Sequence, residues 1–94
     1  MDEIEDVKTA VSEACKIIIK NASAKTQSFK IRFILQENAL EVVLLSRAKI
    51  NITRLDEELG VLIIRENMDF FDISYDNGFM LTMNKNHKPK TLLN

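Results

Sequence analysis

Ninety-four residues carry 13 basic and 14 acidic side chains, a formal charge of -1, with 46% hydrophobic and 29% charged residues. This is the composition of one small globular domain, and it excludes a disordered segment and a broad basic field for a phosphate backbone, so no nucleic-acid partner is expected. Cys15 is the single cysteine, which excludes an internal disulfide, and no apolar run approaches the ~20 residues that cross a bilayer. The acidic start, MDEIEDVK, does not read as a secretory signal, so a reducing cytoplasm is the expected compartment. A domain this small has a thin stability margin, which a partner or a second copy of the chain would widen.

Asp2 to Asn21 has apolar residues at Ile4, Val7, Val11, Ala14 and Ile18, widened by Ala10 and Ile17. This spacing predicts a helix with one inward stripe. Asp2, Glu3, Glu5 and Asp6 suit its positive end, and Lys16 and Lys20 its negative end. The run NASAKTQ reads as a loop. Ser28 to Gln36 then alternates, with Phe29, Ile31, Phe33 and Leu35 on one face and Lys30, Arg32 and Ile34 on the other. A turn at Glu37-Asn38 and a return along Ala39–Ser46 place Leu35 opposite Leu40, Phe33 opposite Val42 and Ile31 opposite Leu44.

Residues 48–54 carry no period. Asp56 is a candidate cap for a second helix, in which Leu55, Leu59, Leu62, Ile63 and Asn67 recur at helical spacing. Gly60 inside that helix costs about 1 kcal/mol relative to alanine, which hints at a backbone role there or at an inherited one. The segments Phe70–Tyr75 and Phe79–Lys85 read as a last hairpin. A loop of Asp76, Asn77 and Gly78 pairs Tyr75 with Phe79, Ile73 with Leu81 and Phe71 with Met83, keeping one face apolar and Gly78 in the left-handed position. The expected fold is α/β, a two-layer sandwich in the order α-β-β-α-β-β with both helices on one face. The stretch from the second strand through the helix to the third reads as a βαβ unit, which would make the four-stranded sheet mixed.

The run Glu5-Asp6-Val7-Lys8-Thr9-Ala10-Val11-Ser12-Glu13-Ala14 resembles the start of the asparagine-box helix of bacterial anti-sigma serine kinases of the sporulation and stress-response type. These belong to the histidine-kinase-like (GHKL, Bergerat) ATPase superfamily. Leu59 to Asp69, LGVLIIRENMD, is similar to the helix after that family's last glycine box. The resemblance runs over about residues 3 to 85, with the hairpins in matching order, and implies a single truncated domain of this kind at 1–86 followed by a polar tail at 87–94.

The same resemblance implies losses. The family's helix carries a glutamate and, four residues on, an asparagine that holds magnesium; here these positions are Glu13 and Ile17, and Ile17 has no oxygen for a hard cation. The adenine-reading Asp with its two glycines corresponds to Ser46-Arg47-Ala48-Lys49-Ile50-Asn51, which has neither residue type. The long lid corresponds to Ile52-Thr53-Arg54-Leu55 alone. Gly60 is the one phosphate-side glycine left, and one glycine makes no phosphate cradle. The family's first strand and helix, which the resemblance ties to dimerisation and sigma-factor contact, are expected to be missing. No catalytic residue, metal ligand or cofactor is expected, with Glu13 and Gly60 as vestiges.

Each candidate has a plainer reading beside the functional one. Glu13 would be the general base of an active relative, and is otherwise a helix-surface carboxylate. Asn21 lies one turn beyond Ile17, roughly 6 Å too far to replace the lost asparagine, and reads as a helix C-cap. Cys15 reads as a packed residue, His87 as solvated in the tail, and Met68, Met80 and Met83 as core filling. Ile34, Val43 and Leu45 form an apolar patch on the sheet face away from the helices, expected to be open to water and to serve as a protein interface. Leu92 and Leu93 of the tail are the alternative cover. The expected function is a non-catalytic regulatory module that binds a sigma factor, an anti-sigma antagonist or a kinase relative, and the open face would also allow a homodimer. The alternative is a minimal ATP-dependent serine-protein kinase using Glu13.

Overall fold

A computed structural model describes residues 3–21, 29–47, 50, 58–75 and 78–86. The elements follow in the order α1 (Glu3–Asn21), β1 (Lys30–Leu35), β2 (Ala39–Ser46), α2 (Leu59–Asn67), β3 (Phe70–Ser74) and β4 (Phe79–Asn86). This is the expected α-β-β-α-β-β sandwich. The loop expected at NASAKTQ after Asn21, the Asp56 cap, residues 51–55, the turn residues Asp76 and Asn77, and the tail 87–94 lie outside the described residues.

The strands run β1-β2-β4-β3 across the sheet, and every neighbouring pair is antiparallel. The expected mixed sheet is therefore corrected. β2 and β3 do run the same way, but β4 lies between them, so the crossover through α2 skips one strand. The reason lies in the inward residues of the last hairpin. Phe79, Leu81 and Met83 of β4 are buried, whereas the five-residue β3 carries exposed Phe70 and Asp72. The more apolar strand takes the central place and the weaker one the edge.

Both hairpin registers match the alternation of the sequence. Ile31, Phe33 and Leu35 oppose Leu44, Val42 and Leu40, and Phe71 and Ile73 oppose Met83 and Leu81. Tyr75 and Phe79 meet edge to face, with ring centres 5.8 Å apart. Gly78 has φ +96°, the left-handed conformation expected for it.

The core is Ala10, Ala14, Ile17 and Ile18 of α1, Val61 and Ile64 of α2, the inward residues of β2 and β4, and Ile50 and Met68. Two inward assignments need correction. Ile4 is exposed on the first turn of α1, and the buried residues of α2 are Val61 and Ile64, followed by Met68 just after the helix, while Leu59 and Leu62 face outward. The run LGVLII is apolar nearly all round, so its period does not fix which side is inside.

Lys85 fastens the far end of the layer. It stands on the inward side of β4 opposite Leu40, and its Nζ lies 3.0 Å from Asp6 Oδ2 and 2.8 Å from the carbonyl oxygen of Asn67. The cation thus ties the start of α1 to the negative end of α2. Burial of this pair makes a single truncation costly. Lys85→Met is expected to lower unfolding stability by about 2–4 kcal/mol in urea titrations, and adding Asp6→Leu to recover part of that loss. Gly78→Ala is expected to cost about 1–3 kcal/mol by the same titration, since the positive φ is strained for alanine and the new Cβ would stand 2.9 Å from the Ser46 carbonyl oxygen.

Candidate functional site

The residues singled out in the two helices come together where α1 and α2 cross. A Cβ placed on Gly60 would stand 3.2 Å from Cδ1 and Cγ1 of Ile17 and 3.3 Å from Oε1 of Glu13. Glu13, Ile17 and Gly60, far apart in the chain, thus form one contact. Gly60 removes the side chain that would hold the helices apart, and the buried Ile17 fills the space this leaves. That close approach is the backbone role that offsets the helical cost of glycine.

The polar groups around this contact are engaged with one another. Glu13 is half-buried, and its Oε2 lies 3.3 Å from Lys16 Nζ. Asn21 Nδ2 donates to the Ile17 carbonyl oxygen at 2.8 Å, the capping role expected for it, and also to Glu58 Oε1 at 3.1 Å. Lys20 Nζ reaches Glu58 Oε2 at 3.1 Å. Glu58 precedes α2 and makes no side-chain cap for it; its backbone carbonyl receives the Val61 N–H instead. Its carboxylate is turned to the end of α1, fastening the two helices. The hydrogen bond from Asn21, followed by that from Lys20, holds the Glu58 carboxyl below its ordinary range.

The sequence marks Lys20 only as a cation at the end of the first helix and does not mark Glu58, because an acid and a base 38 positions apart carry no local signal of their pairing. Cys15 packs against the core, and burial pushes its thiol up, away from the reactive thiolate. Met68 and Met83 are buried as expected of core filling, while Met80 is exposed on the opposite side. Of the stretch Ser46–Asn51, Ser46 and Ile50 are buried and Arg47 is exposed.

Ile34, Val43 and Leu45 share the sheet face away from the helices, as expected, but that face is not open at its centre. Val43 is only 7% exposed, between its cross-strand neighbours Arg32 and Thr82, and Ile34 and Leu45 are half-buried. The exposed apolar strip lies on the other side of β1. Ile31, Phe33 and Leu35 are 38%, 57% and 84% exposed, because the helices pack over β4 and β3 and leave the inward side of β1 uncovered. A shallow cavity of about 310 Å³ lies at the opposite edge, lined by Arg65, Met68, Asp69, Phe70 and Phe71. No helix among the described residues is long and apolar enough to cross a membrane.

No family model matches the chain. Over 103 aligned residues it is 32% identical to a curated protein of Bacillus cereus strain AH820, with 89% of the chain matched. The chain is similar to the serine-protein kinase RsbW. The Bacillus anthracis RsbW of strain A0248 matches to the same degree. The chain spans 64% of the length of these relatives. The 103 aligned positions exceed the 94 residues of the chain, so within the matched span RsbW carries residues that have no counterpart here.

Two outcomes check this geometry. Gly60→Val is expected to cost about 1–3 kcal/mol in chemical unfolding, and Ile17→Ala in the same chain to be less harmful than in the wild type, because the two side chains compete for one space. The depressed Glu58 carboxyl contributes stability that is present above the unfolded carboxylate value of about 4.3 and lost as pH falls through the folded value. Glu58→Gln should therefore flatten the stability profile between about pH 5 and 3, with little change in slope at pH 6–8.

Proposed function

We propose that the chain is a regulatory protein-binding module of the anti-sigma kinase type that no longer uses ATP. The observation that carries this reading is the contact of Ile17 with Gly60. A cation site needs an oxygen donor beside Glu13, and the position one turn on presents a buried hydrocarbon packed under α2. Glu13 is itself held by Lys16. The group that the resemblance implies, magnesium with an adenine nucleotide, does not fit this arrangement of Glu13, Ile17 and Gly60, where the described residues offer no second oxygen donor beside Glu13.

What remains is a scaffold for protein contact. The partner belongs to the class the resemblance supplies: a sigma factor, an anti-sigma antagonist or a kinase relative, met in the bacterial cytoplasm during sporulation or stress. Ile34 and Leu45, flanking the buried Val43, form part of the contact surface of the single domain 1–86. Self-association through this face would give a homodimer.

Equilibrium dialysis of the purified chain against labelled ATP with magnesium tests the reading. The expected result is no saturable retention up to millimolar nucleotide and no rise in the thermal unfolding midpoint. Micromolar retention, or transfer of label to a protein serine that is lost in Glu13→Gln, would replace the proposal with the kinase alternative.

A further inference from the structure

Beyond a general capacity to bind protein, we infer that the outer edge of β1, unpaired among the described residues, is a strand-addition site for an extended partner segment that alternates acidic and large apolar residues. β1 is an outer strand of the sheet. Gln36 N–H donates to the Ala39 carbonyl oxygen at 2.8 Å. The antiparallel alternation from that closing pair turns the backbone groups of Ile34, Arg32 and Lys30 toward β2, and those of Leu35, Phe33 and Ile31 toward the open edge. An incoming strand would find these donors and acceptors spaced for a ladder.

The side chains define its chemistry. Toward the helix side β1 offers Ile31, Phe33 and Leu35, the last two more than half exposed. Toward the other side it offers Lys30 and Arg32, both exposed and neither in an ion pair among the described residues. The acid on that side, Glu41 of β2, stands opposite Ile34 rather than opposite either cation. An added strand with apolar residues on one face and carboxylates on the other would cover the strip and neutralise both cations. A second copy of β1 matches the apolar side through Phe33 against Phe33, but brings two Arg32 side chains together diagonally, so charge favours a different, acidic strand. The other edge of the sheet lacks this pattern. β3 carries Asp72 on its outward side, and the Arg65 guanidinium lies over the Phe71 ring at 5.8 Å.

This site rests on the reading of the chain as a protein-binding module, but its test is independent of nucleotide. The probe is a seven-residue peptide alternating glutamate with isoleucine, phenylalanine and valine, compared with the same peptide bearing lysine for every glutamate. Binding is followed by amide exchange and backbone NMR on the full chain. The expected result is slowed exchange at Ile31, Phe33 and Leu35, with affinity for the glutamate peptide about tenfold or more above that for the lysine peptide. The doubly substituted Lys30→Glu, Arg32→Glu chain should reverse the preference. Protection at β3 in place of β1, equal affinity for both peptides, or a concentration-dependent dimer that protects β1 without peptide would each overturn the site. Retention of ATP in dialysis would overturn the proposed function and leave this peptide result standing.

Discussion

The crossing of α1 and α2 at Gly60 is the constraint on which the helical layer depends. Without a side chain at Gly60 the two helices approach until Ile17 and Glu13 meet the backbone of α2. The approach decides what the crossing can contain. An isoleucine buried at this point gives dispersion contacts and removes apolar surface from water, worth about 2 kcal/mol for a side chain of this size. An asparagine there would need a hydrogen-bonding or metal partner to offset its desolvation. Packing and chemistry compete for the same few ångströms, and in this chain packing holds them.

The polar residues around the crossing serve the same end. Asn21 satisfies the last turn of α1 and reaches Glu58, and Lys20 completes the link. At the far end Lys85 joins Asp6 to the C-terminal carbonyl of α2. The helices are thus fastened to each other at one end and to the central strand β4 at the other. The sheet is covered where β4 and β3 lie and bare over β1, so the same packing that closes the helix crossing leaves an apolar edge strip exposed.

Local patterns in the sequence carry the hairpins well. Alternation over Ser28–Ser46 and the apolar match across Phe71–Met83 specify both registers, because a slip by one residue would turn every apolar side chain to the wrong face. Asn21 as a cap and Gly78 in the left-handed region are equally local and equally legible. Pairing between strands distant in the chain is not local, so the insertion of β4 between β2 and β3 leaves no mark in the pattern. The phase of α2 is hidden for a different reason: LGVLII offers apolar residues on every side, and only the position of the sheet selects Val61 and Ile64. The side of β1 left bare is also not legible. A face reads as core from its pattern, but its coverage depends on where the helices lie. The resemblance to the kinase helices singles out Glu13 and Gly60 separately but not their contact, and the Glu58 and Lys85 contacts span too much chain for any spacing rule.

The central claim is that hydrocarbon occupies the crossing and stays there. Methyl-labelled NMR of Ile17 tests it directly, by reading the nuclear Overhauser effect between its δ1 methyl and the Gly60 α protons with and without magnesium-ATP. A strong cross-peak that does not move on addition of nucleotide is the predicted result. Loss of that cross-peak with a saturable shift of the methyl would contradict the account.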